Sequence, residues 1–250
     1  MKRWILAGMF CFGLVATPNH AHAQGLEARQ LMQATNEDRT RHGLGTLRWD
    51  PALARAAQAH AELMIRAGAL SHQYTGEADL VTRVGESGAH FRVVAENLAV
   101  GPAPQSIEVE WMHSPPHRRN ILDARLDEIG IGLVRQGGNL WAVEDFATGV
   151  PNLGSSQIER QVGELLADRG VRPMDGTSAA RQTCAMDHGS AGTMRPKFIM
   201  RWEGSDLSRL PDVLLQQIRT GRFRTAAVGA CNSGERGQGF TTYRVAVMLY

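Results

Sequence analysis

Residues 129–147 read IGIGLVRQGGNLWAVEDFA, and this stretch decides what kind of fold the chain can form. Ile129, Ile131 and Leu133 recur at every second position, the period of a strand with one apolar row. Gln136-Gly137-Gly138-Asn139 supplies the residues of a tight hairpin turn, and a second strand follows from Leu140 to Ala147. The cover for such a sheet lies upstream. A helix is predicted over Leu26–Arg41, with Leu31, Met32 and Thr35 on one side and Gly43 and Gly45 breaking it. Asp50-Pro51 opens another, since Asp caps a helix and Pro suits its first turn. Leu53, Ala57, His60 and Met64 follow at helical spacing, and Gly68 stands where a C-cap glycine belongs. A third helix is predicted over Gln105–His113, with Ile107 and Trp111 one turn apart, ended by Ser114-Pro115-Pro116. Arg118–Leu122 reads as one further turn, and Leu70–Gly88, without a period, as a loop. Strands and helices packed into about 120 residues predict an α/β fold, layered as α/β/α or α+β.

Downstream, Gly149–Ser156 reads as a linker, Gln157–Asp168 as a helix, and Asp187–Gly192 as a loop. Lys197–Trp202, Thr225–Ala230 and Tyr243–Tyr250 are predicted strands, with a helix from Leu210-Pro211 to Arg219. The last strand is apolar on both faces and must dock into a sheet. Residues 150–250 therefore either carry a small sheet of their own or complete the sheet of 24–149. The sequence displays no internal repeat.

The 250 residues are 43% apolar and 21% charged, which excludes a mostly disordered chain. Formal charge is +2, with no basic surplus to hold a nucleic acid. Met1-Lys2-Arg3, the apolar run Trp4–Ala16 and Ala21-His22-Ala23 form a signal-peptide pattern over residues 1–23, with Gln24 as the expected mature start. The apolar run is too short to span a bilayer, which takes roughly 20 residues. Export, to the extracellular space or periplasm, leaves Cys184 and Cys231 as an even pair in an oxidising compartment, and a disulfide is expected between them.

Chemistry concentrates in the first part. His72 stands in the aperiodic loop, Glu96-Asn97 is a polar pair inside an apolar flank, and Trp111–Asn120 (WMHSPPHRRN) places His113 and His117 either side of two prolines. His72, His117 and Glu96 are the candidate ligands of a His₂Glu set, the class that serves zinc or another divalent cation, although no H-E-x-x-H or C-x-x-C spacing is present and sequence separation neither supports nor forbids their convergence. A serine-hydrolase arrangement can be drawn from Ser114, His117 and Glu96, although the strained G-x-S-x-G turn is missing. The plainer reading of His72 and Glu96 is a hydrogen-bonded pair pinning the loop, because polar groups taken out of water need partners. His60 reads as a core histidine, Asn97 as a turn residue bonding backbone, and Arg39, Trp49, Trp111 and Trp141 as scaffold.

The motifs Asn36-x-x-Arg39, Leu47-x-Trp49-Asp50, His60-Ala61, Leu70-Ser71-His72, Ala95-Glu96-Asn97-Leu98-Ala99, Trp111-Met112-x-Ser114-Pro115-x-His117-Arg118-x-Asn120-Ile121-Leu122 and Ile129-Gly130-Ile131-Gly132 occur in order. Together they resemble the CAP superfamily (cysteine-rich secretory, antigen 5 and pathogenesis-related proteins), in its cysteine-poor bacterial secreted branch. The resemblance implies an α-β-α sandwich for the 24–149 part; the disulfide-linked α/β region over 150–250 is the expectation of the cysteine pair and the strand pattern. It also implies a cleft holding two histidines and two glutamates, at times with a divalent metal. His72 matches the first histidine, Glu96 the first glutamate and His117 the second histidine. Ser114 stands where the second glutamate is expected, with Glu110 and Glu108 nearby.

The expected role is recognition of an extracellular ligand or cell-envelope component (lipid, peptide or cell-wall material) by a monomer, with metal- or acid–base-assisted hydrolysis by Glu96 as one alternative. A structural or adaptor protein without a small-molecule site is the other.

Overall fold

The computed structural model describes residues 18–174, 177–231 and 240–250. Most of the signal-peptide pattern, residues 1–17, lies outside these. No described helix is long and apolar enough to cross a membrane.

Helix α1 (Pro18–Arg41) starts before the expected Leu26 and runs through the expected cleavage point. Strand β1 (Arg48–Trp49) leads into α2 (Pro51–Ala67). Asp50 Oδ1 accepts the Ala52 and Leu53 N–H groups at 2.7 and 2.8 Å, and Gly68 closes the helix at φ 64°. Within the stretch read as a loop, residues 80–86 form a short helix, α3 (Leu80–Glu86), capped by Asp79 through the Thr82 N–H at 2.8 Å. Strand β2 (Phe91–Gly101) was not signalled by the sequence pattern. Helices α4 (Pro104–His113) and α5 (Pro115–Ile121) follow, then the hairpin β3 (Glu128–Gln136) and β4 (Asn139–Gly149).

The sheet order is β1-β3-β4-β2, with β1 parallel to β3 and the rest antiparallel. Helix α2 covers one face, packing on β3 and β4, while α1 and α4 pack together against the other. Contact on the α2 side is close enough to dictate glycine. A Cβ at Gly130 would lie 2.1 Å from the Ala54 nitrogen, and one at Gly132 2.2 Å from the Ala57 carbonyl carbon. On the other face Leu31, Ile107, Trp111, Ile129, Ile131 and Phe146 share one core.

Two residues of α1 tie down the loops beyond it. Asn36 brackets Leu47 through its N–H and C=O, at 2.7 and 3.1 Å. The buried Arg39 guanidinium donates to the carbonyls of Gly45, Ile121, Asp123 and Leu126 at 2.7–3.0 Å. Trp111 is buried and donates its indole N–H to Leu98 O at 3.0 Å. Trp49, read as scaffold, is instead 39% exposed beside the start of α2.

The second sheet is built from β5 (Arg172–Pro173), β6 (Phe198–Gly204), β7 (Thr225–Cys231) and β8 (Tyr243–Leu249), in the order β5-β7-β8-β6. Around it lie α6 (Ser155–Ala167), α7 (Thr177–Ala185) and α8 (Asp212–Arg219). The terminal strand β8 pairs with β7 and β6. Cys184 and Cys231 form the expected disulfide, with Cα atoms 5.9 Å apart.

Candidate functional site

Strand β2 carries Glu96 and Asn97 on opposite faces of the sheet, both buried. On the α2 side, Glu96 Oε1 accepts from His72 Nδ1 at 2.7 Å. Its other oxygen, Oε2, receives the Arg83 guanidinium, which also donates to the His72 carbonyl at 3.0 Å. Arg83 comes from α3, so the short helix missed by the sequence reading supplies the counter-ion. Beneath lies His60, with Nδ1 2.6 Å from Glu77 Oε1 and Nε2 2.9 Å from the Ser71 carbonyl. His60 is thus the core histidine its position in α2 suggested, and it holds the His72 loop from below. The His72 side chain is 64% exposed while that of Glu96 is 2% exposed.

His117 reaches the same region from α5. Asn97 Nδ2 donates to the His117 carbonyl at 3.3 Å, and Asn120 Nδ2 donates to Glu96 O at 3.1 Å and Asn97 Oδ1 at 2.9 Å. These amides fasten α5 to β2. Asn97 therefore bonds a backbone carbonyl as expected, but from within a strand rather than a turn. His117 is half-buried, its ring centroid 6.4 Å from that of Trp111, and its Nδ1 has no hydrogen-bond partner among the described residues.

The two histidines are pushed in opposite directions. The hydrogen bond to Glu96 raises His72 above the ordinary 6.5, against partial burial. Burial lowers His117, and the nearby His72 charge lowers it further. Such a divergence favours a protonated His72, able to donate a hydrogen bond, beside a neutral His117, able to accept one.

Ser114 joins α4 to α5: its N–H donates to Glu110 O and Trp111 O, and its carbonyl accepts from Arg118 N. Its hydroxyl caps neither helix. Glu110 and His113 are exposed on α4, the latter with Nδ1 2.6 Å from Val109 O. Glu108 points elsewhere, into the interior, where Thr35 Oγ1 bonds both Glu108 Oε2 and Glu144 Oε1 at 2.9 Å.

Among the described residues no group of three or more His, Cys, Asp or Glu side chains is arranged to hold a metal ion. Both Glu96 oxygens are already engaged, by His72 and Arg83. The His₂Glu set of His72, His117 and Glu96 does not fit a three-ligand centre in this arrangement. Glu96 instead orients His72 as an outer-shell carboxylate would.

Residues missed by the sequence reading are Arg83, Glu77 and Asn120 as site members. Asp79 was the available cue for Arg83, being an N-cap three residues ahead of Thr82.

Residues 32–146 match the family described as CAP, the cysteine-rich secretory protein family. A segment of 114 residues is 29% identical to the uncharacterized protein YkwD of Bacillus subtilis, covering 45% of this chain and 44% of that one. The uncharacterized membrane protein YlbC of the same organism is 31% identical over 114 residues, covering 45% and 33%. The chain thus spans less than half the length of these curated relatives. An extracellular SCP-domain protein from Bacillus anthracis is a structural neighbour at TM-score 0.47 and 24% identity, covering 53% of this chain and 44% of that one. An outer surface protein of Borrelia burgdorferi is another, at TM-score 0.46 and 22% identity, covering 50% and 93%. The order of motifs and the match over residues 32–146 agree: this segment is similar to the CAP, cysteine-rich secretory protein, family.

Proposed function

We propose that the protein is exported and recognises an extracellular ligand, drawn from lipid, peptide or cell-wall material, at the surface formed by His72 and His117, with the buried Asn97 and the half-buried Asn120 fastening α5 beneath it. One observation carries the reading. A solvent-facing imidazole is held in a fixed orientation by a buried carboxylate that is itself paired with a buried guanidinium. The oppositely shifted His117 beside it supplies an acceptor where His72 supplies a donor. Export is supported by the Ala21-His22-Ala23 pattern and by the Cys184–Cys231 bridge.

Hydrolysis has less support. Glu96 is closed off as a base by its two partners, and the Ser114 hydroxyl is not among the bonds of either histidine. The test is an NMR titration of the mature protein with solubilised peptidoglycan fragments, with palmitate and with an unstructured peptide, in separate arms. One arm is expected to shift the His72, His117 and Asn120 signals, and His72→Ala with His117→Ala is expected to abolish the shift. Shifts confined to other surfaces, or unchanged in the double variant, refute the assignment.

A further inference from the structure

We infer that residues 155–250 are a second copy of the sandwich formed by residues 18–149, one that has kept the scaffold and lost the polar site. The inference is independent of what the first unit binds.

With α3 and α5 set aside, the first unit runs helix, strand, helix, strand, helix, strand, strand, and α6-β5-α7-β6-α8-β7-β8 runs the same way. The strand orders coincide, β1-β3-β4-β2 against β5-β7-β8-β6. In each unit the first strand has two residues and lies parallel to the third, while every other pairing is antiparallel.

Register carries the match to single residues. Superposing the parallel pair Trp49–Ile129 on Pro173–Ala226 places Gly229 on Gly132 without a gap. The helix contacts, which that alignment did not use, then agree. A Cβ at Gly132 would lie 2.2 Å from the Ala57 carbonyl carbon and 2.3 Å from its oxygen. A Cβ at Gly229 would lie 2.1 Å from the Ala180 carbonyl carbon and 2.3 Å from its oxygen. One residue on, the N–H on the open sheet edge is covered by a side-chain oxygen in both units. Leu133 donates to Gln58 Oε1 of α2 and Ala230 to Glu159 Oε1 of α6, each at 3.0 Å, so the cover comes from non-equivalent helices and only the covered position is shared. Covering an exposed strand edge in this way guards against unwanted pairing.

The same register explains the disulfide. Ala57 on Ala180 places Ala61 on Cys184, and Gly132 on Gly229 places Val134 on Cys231. Ala61 and Val134 share one apolar cluster between α2 and β3. The bridge therefore stands where the first unit has a helix–strand packing contact.

The site, by contrast, is gone. Pairing through β8 and β6 places Met248 on Asp145, Val247 on Glu144, Ile199 on Glu96 and Met200 on Asn97. Thr183 takes the place of His60. No helix stands for α5, since α8 ends at Arg219 and β7 begins at Thr225. Val247 joins the row Tyr243, Val245 and Leu249 in an apolar core, whereas its counterpart Glu144 interrupts the row Leu140, Ala142 and Phe146. At the positions matching His60, Glu96, Asn97, Glu144 and Asp145, the second unit carries neither histidine nor a carboxylate.

The test exchanges residues between the units in the full mature chain. Cys184→Ala with Cys231→Val installs the first unit's pair, and Cys184→Val with Cys231→Ala installs its mirror. Both remove the bridge and leave the same atoms. The first variant is expected to show the higher denaturant midpoint, and amide exchange in β7 and β8 at least about tenfold slower than in the mirror variant. Equal or reversed behaviour overturns the inference. Should neither variant hold the second sheet, the wild-type chain decides through interstrand NOEs. Contacts of Pro173 with Ala226, Gly229 with Ala246 and Ile199 with Met248 are all required, and a one-residue slip in any of them overturns it.

Discussion

At Glu96 two demands meet on one buried carboxylate: it must neutralise Arg83 and orient His72. Removing one partner of a buried ion pair strands the other, at a cost of roughly 3–5 kcal/mol. Glu96→Ala is therefore expected to destabilise the first unit by about that amount in urea titration. Glu96→Gln separates packing from charge. It keeps a hydrogen-bond acceptor, and the His72 pKa, read from ring NMR signals, is expected to fall back towards 6.5. An unchanged His72 titration would show that the carboxylate does not set it. The sign for stability follows from the raised value. The His72 contribution is fully present below the unfolded pKa of about 6.5 and is lost as pH rises through the folded one. His72, Glu96 and His117 were legible because each sits in a short, distinctive motif. Arg83 was not, because it reaches Glu96 from a seven-residue helix too short to show an apolar period.

Between elements, the seam of α1, α4 and β4 buries an acidic pair. Glu108 and Glu144 share the Thr35 hydroxyl and each leaves its second oxygen unpaired among the described residues. Burial raises Glu108 to about 7, and burial followed by the Glu108 charge raises Glu144 well above the usual carboxylate range. The folded state thus holds protons that the unfolded state gives up near 4.5. Stability from this seam is greatest at acid pH and falls as pH rises through about 7, by about 3 kcal/mol for Glu108 alone. Glu144→Gln is expected to raise the melting temperature at pH 8 and to flatten the pH dependence measured by calorimetry. A steeper dependence would contradict the buried acidic seam. A second expectation concerns the α2–β3 contact: Gly132→Val forces a Cβ into the Ala57 backbone, at a cost of about 3 kcal/mol, the upper end for overpacking. A stability change under about 1 kcal/mol would rule out that close approach. At this scale the hairpin and the capped helix α2 were legible, having a turn signal and an N-cap with its C-cap glycine. Strand β2 was not. Its polar pair is buried on both sheet faces, so the alternation that marks a half-exposed strand is absent.

Across the whole molecule, the segment leading into β8 meets the start of β2. Thr241 N donates to Phe91 O at 2.8 Å, Phe91 N donates to Thr241 Oγ1 at 3.2 Å, and the Phe91 and Phe240 rings stand edge-on at 5.4 Å. Phe91 begins the strand that carries Glu96, so the second unit grips the first at the root of its site strand. No local pattern announces a contact between residues 150 positions apart. The cysteine pair, in contrast, was readable from the even count that remains once the signal-peptide pattern with Cys11 is set aside. That bridge closes a loop over a separation of 47 residues within the second unit, and none of its atoms belongs to the first. A loop of this length stabilises by about 4 kcal/mol in the chain-entropy account. Reduction is therefore expected to speed amide exchange across β7 and β8 by roughly the same free energy, while Glu96, Leu98 and the β3–β4 hairpin keep their protection. Hydrogen exchange with and without reductant separates the cases. Loss of protection in both sheets together would mean that the Phe91–Thr241 contact fuses them into one cooperative unit, with the first unit's site dependent on the distant bridge.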